Sequence, residues 1–148
     1  MAVNTIHIEA SPARVFSVLS NGWYYSNWVV GTSHMRAVEA DWPVVGSKLF
    51  HASGAWPVVM RDETVVELCE PDRKLVLTAR GRPFGEAIIA IELTPDATGC
   101  TVRIEESPKS GPGSWLHNPV SEALLKRRNT EALNRLRAIA ENLTVPVD

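Results

Sequence analysis

The sequence has only two cysteines in 148 residues, Cys69 and Cys100, and they do not form a C-x-x-C pair. So few cysteines exclude a disulfide scaffold, and nothing around either one has the spacing of a zinc site. Free cysteine is usually a small buried side chain, and both lie in apolar segments. We therefore interpret both as core residues.

Clustered metal ligands and phosphate-binding motifs are also lacking. The four histidines are scattered, and no two of them are separated by two or four residues (His7, His34, His51 and His117). There is no glycine-rich phosphate loop, no G-x-G-x-x-G and no nucleophile elbow G-x-S-x-G. We predict no metal site and no cofactor, and the sequence gives no evidence for nucleophilic catalysis.

The sequence has neither a large excess of one charge sign nor a long apolar run. The 15 Lys and Arg residues and 17 Asp and Glu residues leave a net charge of −2, without the basic face that nucleic-acid binding requires. No stretch approaches the ~20 apolar residues of a membrane span. Residues 1–9 lack the charged and apolar parts of a signal peptide. We expect a cytoplasmic protein with no nucleic-acid partner and no integral membrane segment.

The residues that are present suffice for one core. Hydrophobic residues make up 45% of the sequence, and the length fits a single domain over residues 1–148. Five tryptophans are many for this length, and four of them lie in the first 56 residues. No linker, repeat or low-complexity tract divides the chain.

Hydrophobic periodicity predicts an α+β order. A strand at Val3–Glu9 is followed by a helix that Ser11 caps and Pro12 begins, and by an aromatic-rich helix or turn at residues 23–30. Six strands separated by short turns follow, which favours antiparallel neighbours; they are His34–Ala40, Ser47–Ser53, Val58–Leu68, Lys74–Arg80, Gly85–Thr94 and Cys100–Glu106. Asn118-Pro119 then begins a long helix that runs to about Leu143.

The long helix carries an apolar stripe that matches the apolar face of the predicted sheet. The stripe consists of Leu125, Ala132, Leu133, Leu136, Ile139, Ala140 and Leu143. A twisted sheet with one apolar face curls around such a helix. We therefore predict a curved antiparallel sheet wrapped around the C-terminal helix, with two short helices after the first strand.

Several segments resemble the START-like, Bet v 1-like superfamily (SRPBCC), and within it the bacterial polyketide cyclase/dehydrase-like proteins. They are Ser-Pro-Ala-Arg-Val-Phe at 11–16, Trp-Pro-Val-Val-Gly at 42–46, Gly-Cys-Thr-Val at 99–102 and the terminal helix. The resemblance covers nearly the whole chain and implies a helix-grip fold with a deep cavity for lipids, polyketides or other hydrophobic molecules. It supplies no shared catalytic motif.

Polar residues in the N-terminal half of the long helix are candidates for lining that cavity. Ser121, Arg128 and Asn129 lie on or beside the apolar stripe, where an unpaired polar group is costly. Arg128 could meet a ligand carboxylate or enolate, and Asn129 a carbonyl. The alternative is that Arg128 pairs with a sheet carboxylate such as Glu106.

Asp62 is the second weak catalytic candidate beside Arg128. By strand alternation it shares the more apolar face of its strand with Thr64, Met60, Val66 and Leu68. An inward Asp62 in a dry pocket would act as acid or base. The alternative is a bulge that swaps the faces and solvates Asp62.

The remaining candidate ligand contacts are apolar or aromatic, apart from one histidine. His51 shares its strand face with Leu49, so it points inward or remains a partly exposed sheet residue. The other candidates would wall a pocket or simply pack the core; they are Trp28, Met60, Ile89, Ile91, Trp115 and Leu125. The leading hypothesis is a carrier or sensor for a small hydrophobic ligand, and the alternative is a cyclase/dehydrase-type enzyme in the same cavity.

Overall fold

The computed structural model describes residues 1–30, 32–55, 58–81, 85–110 and 119–143. Seven strands and three α-helices form in this part of the chain, with a 3₁₀ turn at Gly22–Tyr24. In chain order they are β1 (Ala2–Ile8), α1 (Pro12–Ser20), α2 (Tyr25–Trp28), β2 (Thr32–Val38), β3 (Lys48–Ala55), β4 (Val58–Glu70), β5 (Lys74–Gly81), β6 (Gly85–Asp96), β7 (Gly99–Ser110) and α3 (Pro119–Asn142). The element order is the predicted one.

All seven strands form one antiparallel sheet in the order β1-β7-β6-β5-β4-β3-β2. Consecutive strands from β2 to β7 are neighbours, whereas β1 pairs with β7. The sheet curves around α3, which confirms the predicted α+β helix-grip architecture. The site-bearing face is the inner one, which is turned toward the helices.

Local sequence explains where α1 begins and ends. The Ser11 side chain accepts a hydrogen bond from the Arg14 backbone N–H at 3.2 Å, and Pro12 occupies the first turn. Asn21 ends the helix and caps the following 3₁₀ turn, because its side chain accepts from the Trp23 N–H. The apolar face of α1 is buried, as its periodicity predicts (Val15, Phe16, Val18 and Leu19).

The apolar stripe of α3 is buried in its C-terminal half. Its buried members are Ala132, Leu133, Leu136 and Ala140. The Arg14 guanidinium donates to the Ala140 carbonyl at 2.7 Å and ties α1 to α3. The Asn4 amide donates to the Lys126 carbonyl and to the Thr130 hydroxyl, which ties α3 to β1. The N-terminal half differs, since Val120 and Leu124 are 70% and 63% exposed.

Two predicted strand ends were wrong because proline was taken as a stop. β6 continues through Pro95 to Asp96, so the turn to β7 is only Ala97-Thr98. β7 continues through Pro108, which pairs opposite Ala87 beside a register shift at Glu86/Ala87, although residues from Ser107 onward were predicted to form a loop. Proline is tolerated in a strand next to such an irregularity. The other bounds differ from prediction by one or two residues.

A bulge in β4 reverses which residues of the strand face the core. The register with β5 shifts between Val66 and Leu68. Before the shift, Asp62, Thr64 and Val66 are buried; after it, Leu68 is 36% exposed, and Cys69 packs against the core instead. The prediction that Leu68 shares the buried face was therefore wrong, because the extra residue reverses the alternation. The bulge lies beyond Asp62, so Asp62 stays on the inner face.

None of the described helices combines the length and the apolar character needed to cross a membrane.

Cys69 and Cys100 are both free thiols, and burial raises the pKa of each. Cys100 is fully buried and Cys69 only partly, so the core interpretation is confirmed for Cys100.

Candidate functional site

Buried polar side chains gather on the inner face of the sheet and on the helices that face it. We call this group the polar cluster. Its members are Tyr25 of α2, His51 of β3, Asp62 and Thr64 of β4, Glu106 of β7, and Arg128 and Asn129 of α3. All except Arg128 are buried, with none more than 6% exposed. Polar residues at this depth need partners, so their contacts define what the site can do.

Strand register brings the β3 and β4 members together. His51 lies opposite Asp62, and Leu49 lies opposite Thr64. Alternation along each strand then turns His51, Asp62 and Thr64 to the same inner face. His51 and Asp62 are each 3% exposed, and Thr64 is fully buried. The inward interpretation of His51 is therefore correct, and the partly exposed one is wrong.

Tyr25, Thr64 and His51 form a chain of hydrogen bonds. The Thr64 hydroxyl lies 3.0 Å from the Tyr25 hydroxyl and 3.0 Å from Nε2 of His51. The Tyr25 ring also lies against the His51 imidazole, with centroids 5.2 Å apart, and meets Trp28 edge-on at 5.6 Å. α2 thus places an aromatic wall over the polar residues of the sheet.

Burial sets the protonation states in this chain. It raises the pKa of Tyr25 to about 12, to which the charge of Glu106 adds, while the Thr64 hydrogen bond and Arg128 act the other way. Burial lowers the pKa of His51; the charge of Arg36 adds to this, while that of Asp62 opposes it. At neutral pH the phenol is therefore protonated and the imidazole neutral. A neutral His51 next to a carboxylate is a competent proton acceptor.

Glu106 and Arg128 join the sheet to α3. One terminal nitrogen of the Arg128 guanidinium donates to both Glu106 oxygens, at 2.8 and 2.5 Å. The Glu106 side chain is 7% exposed and that of Arg128 43%, so the pair spans the boundary between interior and solvent. This is the partner that the structural interpretation of Arg128 predicted.

Among the polar side chains of α3 that the structure describes, Asn129 is the most deeply buried, at 3% exposure. Its Nδ2 has no hydrogen-bond partner among the residues that the structure describes. An amide N–H₂ normally finds an acceptor when it is buried. Asn129 therefore brings unused donor capacity to the polar cluster.

Comparison with known proteins places this site in a family. A family described as polyketide cyclase / dehydrase and lipid transport matches residues 2–141. The chain belongs to this family. The predicted START-like, Bet v 1-like resemblance is thereby confirmed. Membership supports hydrophobic ligand binding or a cyclase role. No curated protein matches the sequence.

Solved structures with the same fold come from several sources. Protein MLL2253 from Mesorhizobium loti is 18% identical with a TM-score of 0.71, and the match covers 97% of this chain and 98% of that one. The di-domain ARO/CYC StfQ from the steffimycin biosynthetic pathway is 13% identical with a TM-score of 0.71, over 94% of this chain and 49% of that one. Ara h 8.0201 is 8% identical with a TM-score of 0.71, over 93% and 95%. At these identities the likeness shows the fold alone.

The other predicted ligand contacts of this family member differ in how far they are buried. Trp28, Ile89 and Ile91 are buried, and Ile89 lies opposite Glu106. Leu125 is half-buried. Met60 is on the Asp62 face by alternation but is 37% exposed, so it lies where that face opens to solvent. Trp115 and the Ser121 side chain lie outside the described residues.

Sequence reasoning missed Tyr25 as a site residue and named Thr64 and Glu106 only in passing. Tyr25 precedes Trp28 by three positions, which places both on one side of a helical turn. That spacing was the available signal. Thr64 shares the parity of Asp62, but its role depends on the Tyr25 hydroxyl, which comes from a separate helix.

One described groove lies outside the polar cluster. It has a volume of about 220 Å³ between β1 and α3, and its walls are Thr5, Ile6, Thr130, Leu133, Asn134 and Arg137. Ligand sites usually exceed about 300 Å³, and no predicted site residue lines this groove. Among the described residues, no three His, Cys, Asp or Glu side chains are grouped to hold a metal ion.

Proposed function

We propose that this protein is a carrier or sensor that binds a small hydrophobic molecule, lipid-like or polyketide-like, between the inner sheet face and α3. The observation that carries the proposal is the polar cluster itself. It sets hydrogen-bonding side chains among buried apolar ones, which include Leu49 and Ile89 of the sheet and Trp28 of α2. Pockets for small molecules combine apolar walls with a few placed polar groups in this way.

The burial pattern of α3 supports the same proposal. Its C-terminal half packs on apolar residues, whereas Arg128 and Asn129 lie in the half where the helix is less covered. A solid core favours apolar residues at such positions, since buried polar groups must be compensated. A bound molecule with an apolar body and polar substituents would match both the apolar wall and the polar cluster.

Two measurements on the full chain test binding and its location. The first is native mass spectrometry of the purified protein for a co-purified molecule, followed by titration with the neutral probe N-phenyl-1-naphthylamine. We expect saturable binding at one site. The second is NMR of the histidine rings during the titration, with His51→Gln and His34→Gln for assignment. His34 is exposed on the edge strand β2 and is the matched control.

Binding at the polar cluster should shift the His51 resonances and leave those of His34 in place. If neither a co-purified molecule nor the probe binds, the carrier or sensor function is wrong. If the probe binds but only the His34 ring responds, the ligand lies elsewhere and the proposed location is wrong.

A cyclase/dehydrase-type reaction in the same place is the second candidate function. The observation that favours it is the pairing of a neutral, buried His51 with Asp62 on the opposite strand. In this alternative, one of the two accepts a proton from the bound chain, and the apolar walls hold that chain in a reactive shape. Arg128 would then stabilise negative charge through guanidinium nitrogens other than the one that donates to Glu106.

Conversion of a bound polyketone chain distinguishes this alternative. Product analysis by liquid chromatography should show a cyclised or dehydrated compound with wild-type protein, lower rates with His51→Gln and Asp62→Asn, and unchanged rates with His34→Gln. A chain that binds but is recovered unaltered would leave the carrier or sensor function as the better account.

A further inference from the structure

The unused donor of Asn129 indicates which chemical group the ligand presents to α3. Asn129 is 3% exposed and follows Arg128, whose guanidinium binds Glu106. Nδ2 of Asn129 has no acceptor within the described part of the chain. A buried donor without an acceptor costs free energy, and an acceptor atom on a ligand would recover it.

The charges of the polar cluster disfavour an anionic acceptor. Arg128 is the only cationic member of the polar cluster at neutral pH, because His51 is neutral there, and one of its terminal nitrogens already donates to both Glu106 oxygens. The other cation near His51 is Arg36, whose guanidinium donates to the backbone carbonyls of His51 and Asp62. Asp62 places a second carboxylate on the same face. A ligand carboxylate would therefore compete with Glu106 for Arg128 and would lie near two acidic side chains. The acceptor that fits is uncharged.

We propose that Asn129 donates a hydrogen bond to an uncharged carbonyl oxygen, so that the ligand is a ketone, ester or lactone rather than a carboxylic acid or a plain hydrocarbon. This inference rests on the proposed ligand-binding function and names its substrate class. Two other donor groups of the polar cluster already have partners: the Tyr25 hydroxyl lies 3.0 Å from that of Thr64, and one terminal nitrogen of Arg128 donates to Glu106. Asn129 is then the residue that distinguishes a carbonyl compound from the matching hydrocarbon.

Three fluorescent dimethylaminonaphthalenes test the inference. They share one ring system and carry a propionyl group, a propyl group or a carboxylate. The emission of the propionyl compound moves to longer wavelength when its carbonyl accepts a hydrogen bond. Each compound is titrated into the wild-type full chain, into Asn129→Leu, and into Asn134→Leu as the matched control. Asn134 is on the same helix but accepts from Arg137 and lines the separate groove.

We expect the wild-type protein to bind the propionyl compound about five- to tenfold more tightly than the propyl compound, which is the contribution of one hydrogen bond. Asn129→Leu should lose this preference and shift the emission of the bound propionyl compound to shorter wavelength. Asn134→Leu should change neither. Melting temperatures of all variants are recorded, and Asn129→Ala is the second variant if leucine overpacks the helix.

The outcomes separate this inference from the proposed function. If the propyl and propionyl compounds bind equally well and Asn129→Leu changes neither, the carbonyl assignment is wrong while ligand binding stands. If the carboxylate binds most tightly, the charge argument is wrong. If Asn134→Leu alone weakens binding, the ligand occupies the groove. If none of the three naphthalenes binds while N-phenyl-1-naphthylamine does, the carbonyl assignment is wrong and ligand binding stands. If N-phenyl-1-naphthylamine also fails to bind and no molecule co-purifies, the proposed function fails as well.

Discussion

His51 and Asp62 lie opposite each other on β3 and β4, and each is 3% exposed. Burial lowers the pKa of the imidazole, and the charge of Asp62 only partly offsets this. The folded protein therefore keeps His51 neutral at neutral pH. This pairing affects both the stability of the fold and the chemistry of the candidate site.

The first prediction concerns acid sensitivity. In the unfolded chain His51 titrates near its ordinary pKa of 6.5, whereas in the folded chain its pKa is lower. Between these two values the unfolded state binds more protons, so the free energy of unfolding falls as the pH drops below about 6.5. Above that pH this contribution is fully present. His51→Gln should make the pH dependence shallower in urea unfolding measured from about pH 7 to pH 5. His34→Gln should keep the wild-type slope; an unchanged slope in His51→Gln would show that other groups cause the acid sensitivity.

The second prediction concerns the hydrogen-bond chain. Thr64→Val keeps the side-chain shape but removes the hydroxyl that Tyr25 and His51 share. We expect the free energy of unfolding to fall by about 1–3 kcal/mol, because two buried polar groups lose a partner. Tyr25→Phe should cost less, since Thr64 keeps its contact with His51. Thr94→Val, at an exposed position of β6, is the control and should change stability by less than about 0.5 kcal/mol. If Thr64→Val and Thr94→Val changed the free energy of unfolding equally, the stabilising role of the Tyr25–Thr64–His51 hydrogen bonds would be contradicted.

The third prediction concerns the pair between the sheet and α3. Arg128→Met leaves the Glu106 carboxylate buried without its cation. We expect a loss of about 1–2 kcal/mol, below the value for a fully buried pair because the Arg128 side chain is half-exposed. Adding Glu106→Gln should recover part of the loss, and a double-mutant cycle from urea unfolding measures the coupling. Arg135→Met is the matched control, since Arg135 pairs with Glu131 on the exposed side of α3. Strictly additive effects at 106 and 128 would refute the coupling.

The fourth prediction concerns Gly99 at the start of β7. A Cβ there would clash with the Ile8 carbonyl oxygen and lie 2.8 Å from the Ala10 nitrogen, so β1 and β7 would have to separate. Gly99→Ala should lower the free energy of unfolding by about 2–3 kcal/mol. Gly22→Ala is the comparison, because its Cβ meets the ends of the Leu49 and Val38 side chains at 2.5 and 2.7 Å, and side-chain ends yield more easily than backbone. If the two substitutions cost the same, backbone contact at Gly99 is not what requires glycine.

Much of the fold could be predicted because local rules act independently along this chain. Ser11 and Pro12 mark the start of α1, and the stripe from Ala132 to Ala140 marks the buried side of α3. Alternation on β4 also placed Asp62 inward. These signals lie within one element, so a single sequence shows them.

The contacts of the site were harder to predict because they join elements far apart in sequence. Tyr25 meets Thr64 only because α2 folds over β4, and no periodicity within either segment records that contact. The bulge that exposes Leu68 depends on pairing with β5. The structural interpretation of Arg128 was correct because Glu106 lies at the end of the predicted seventh strand, where the N-terminal half of α3 passes. Whether Asn129 has a partner was not readable from spacing.

The pairing of β1 with β7 also affects the order in which the chain can fold. Ala2 lies opposite Glu106, so the partner strand of β1 follows about a hundred residues later in the sequence. The hairpins from β2 to β7 join neighbours and can form first, whereas closing the β1 edge requires a long loop to be ordered. During synthesis β1 therefore stays unpaired until β7 has emerged. Refolding should show docking of β1 as a late event, with its amides protected from hydrogen exchange after those of β4 and β5.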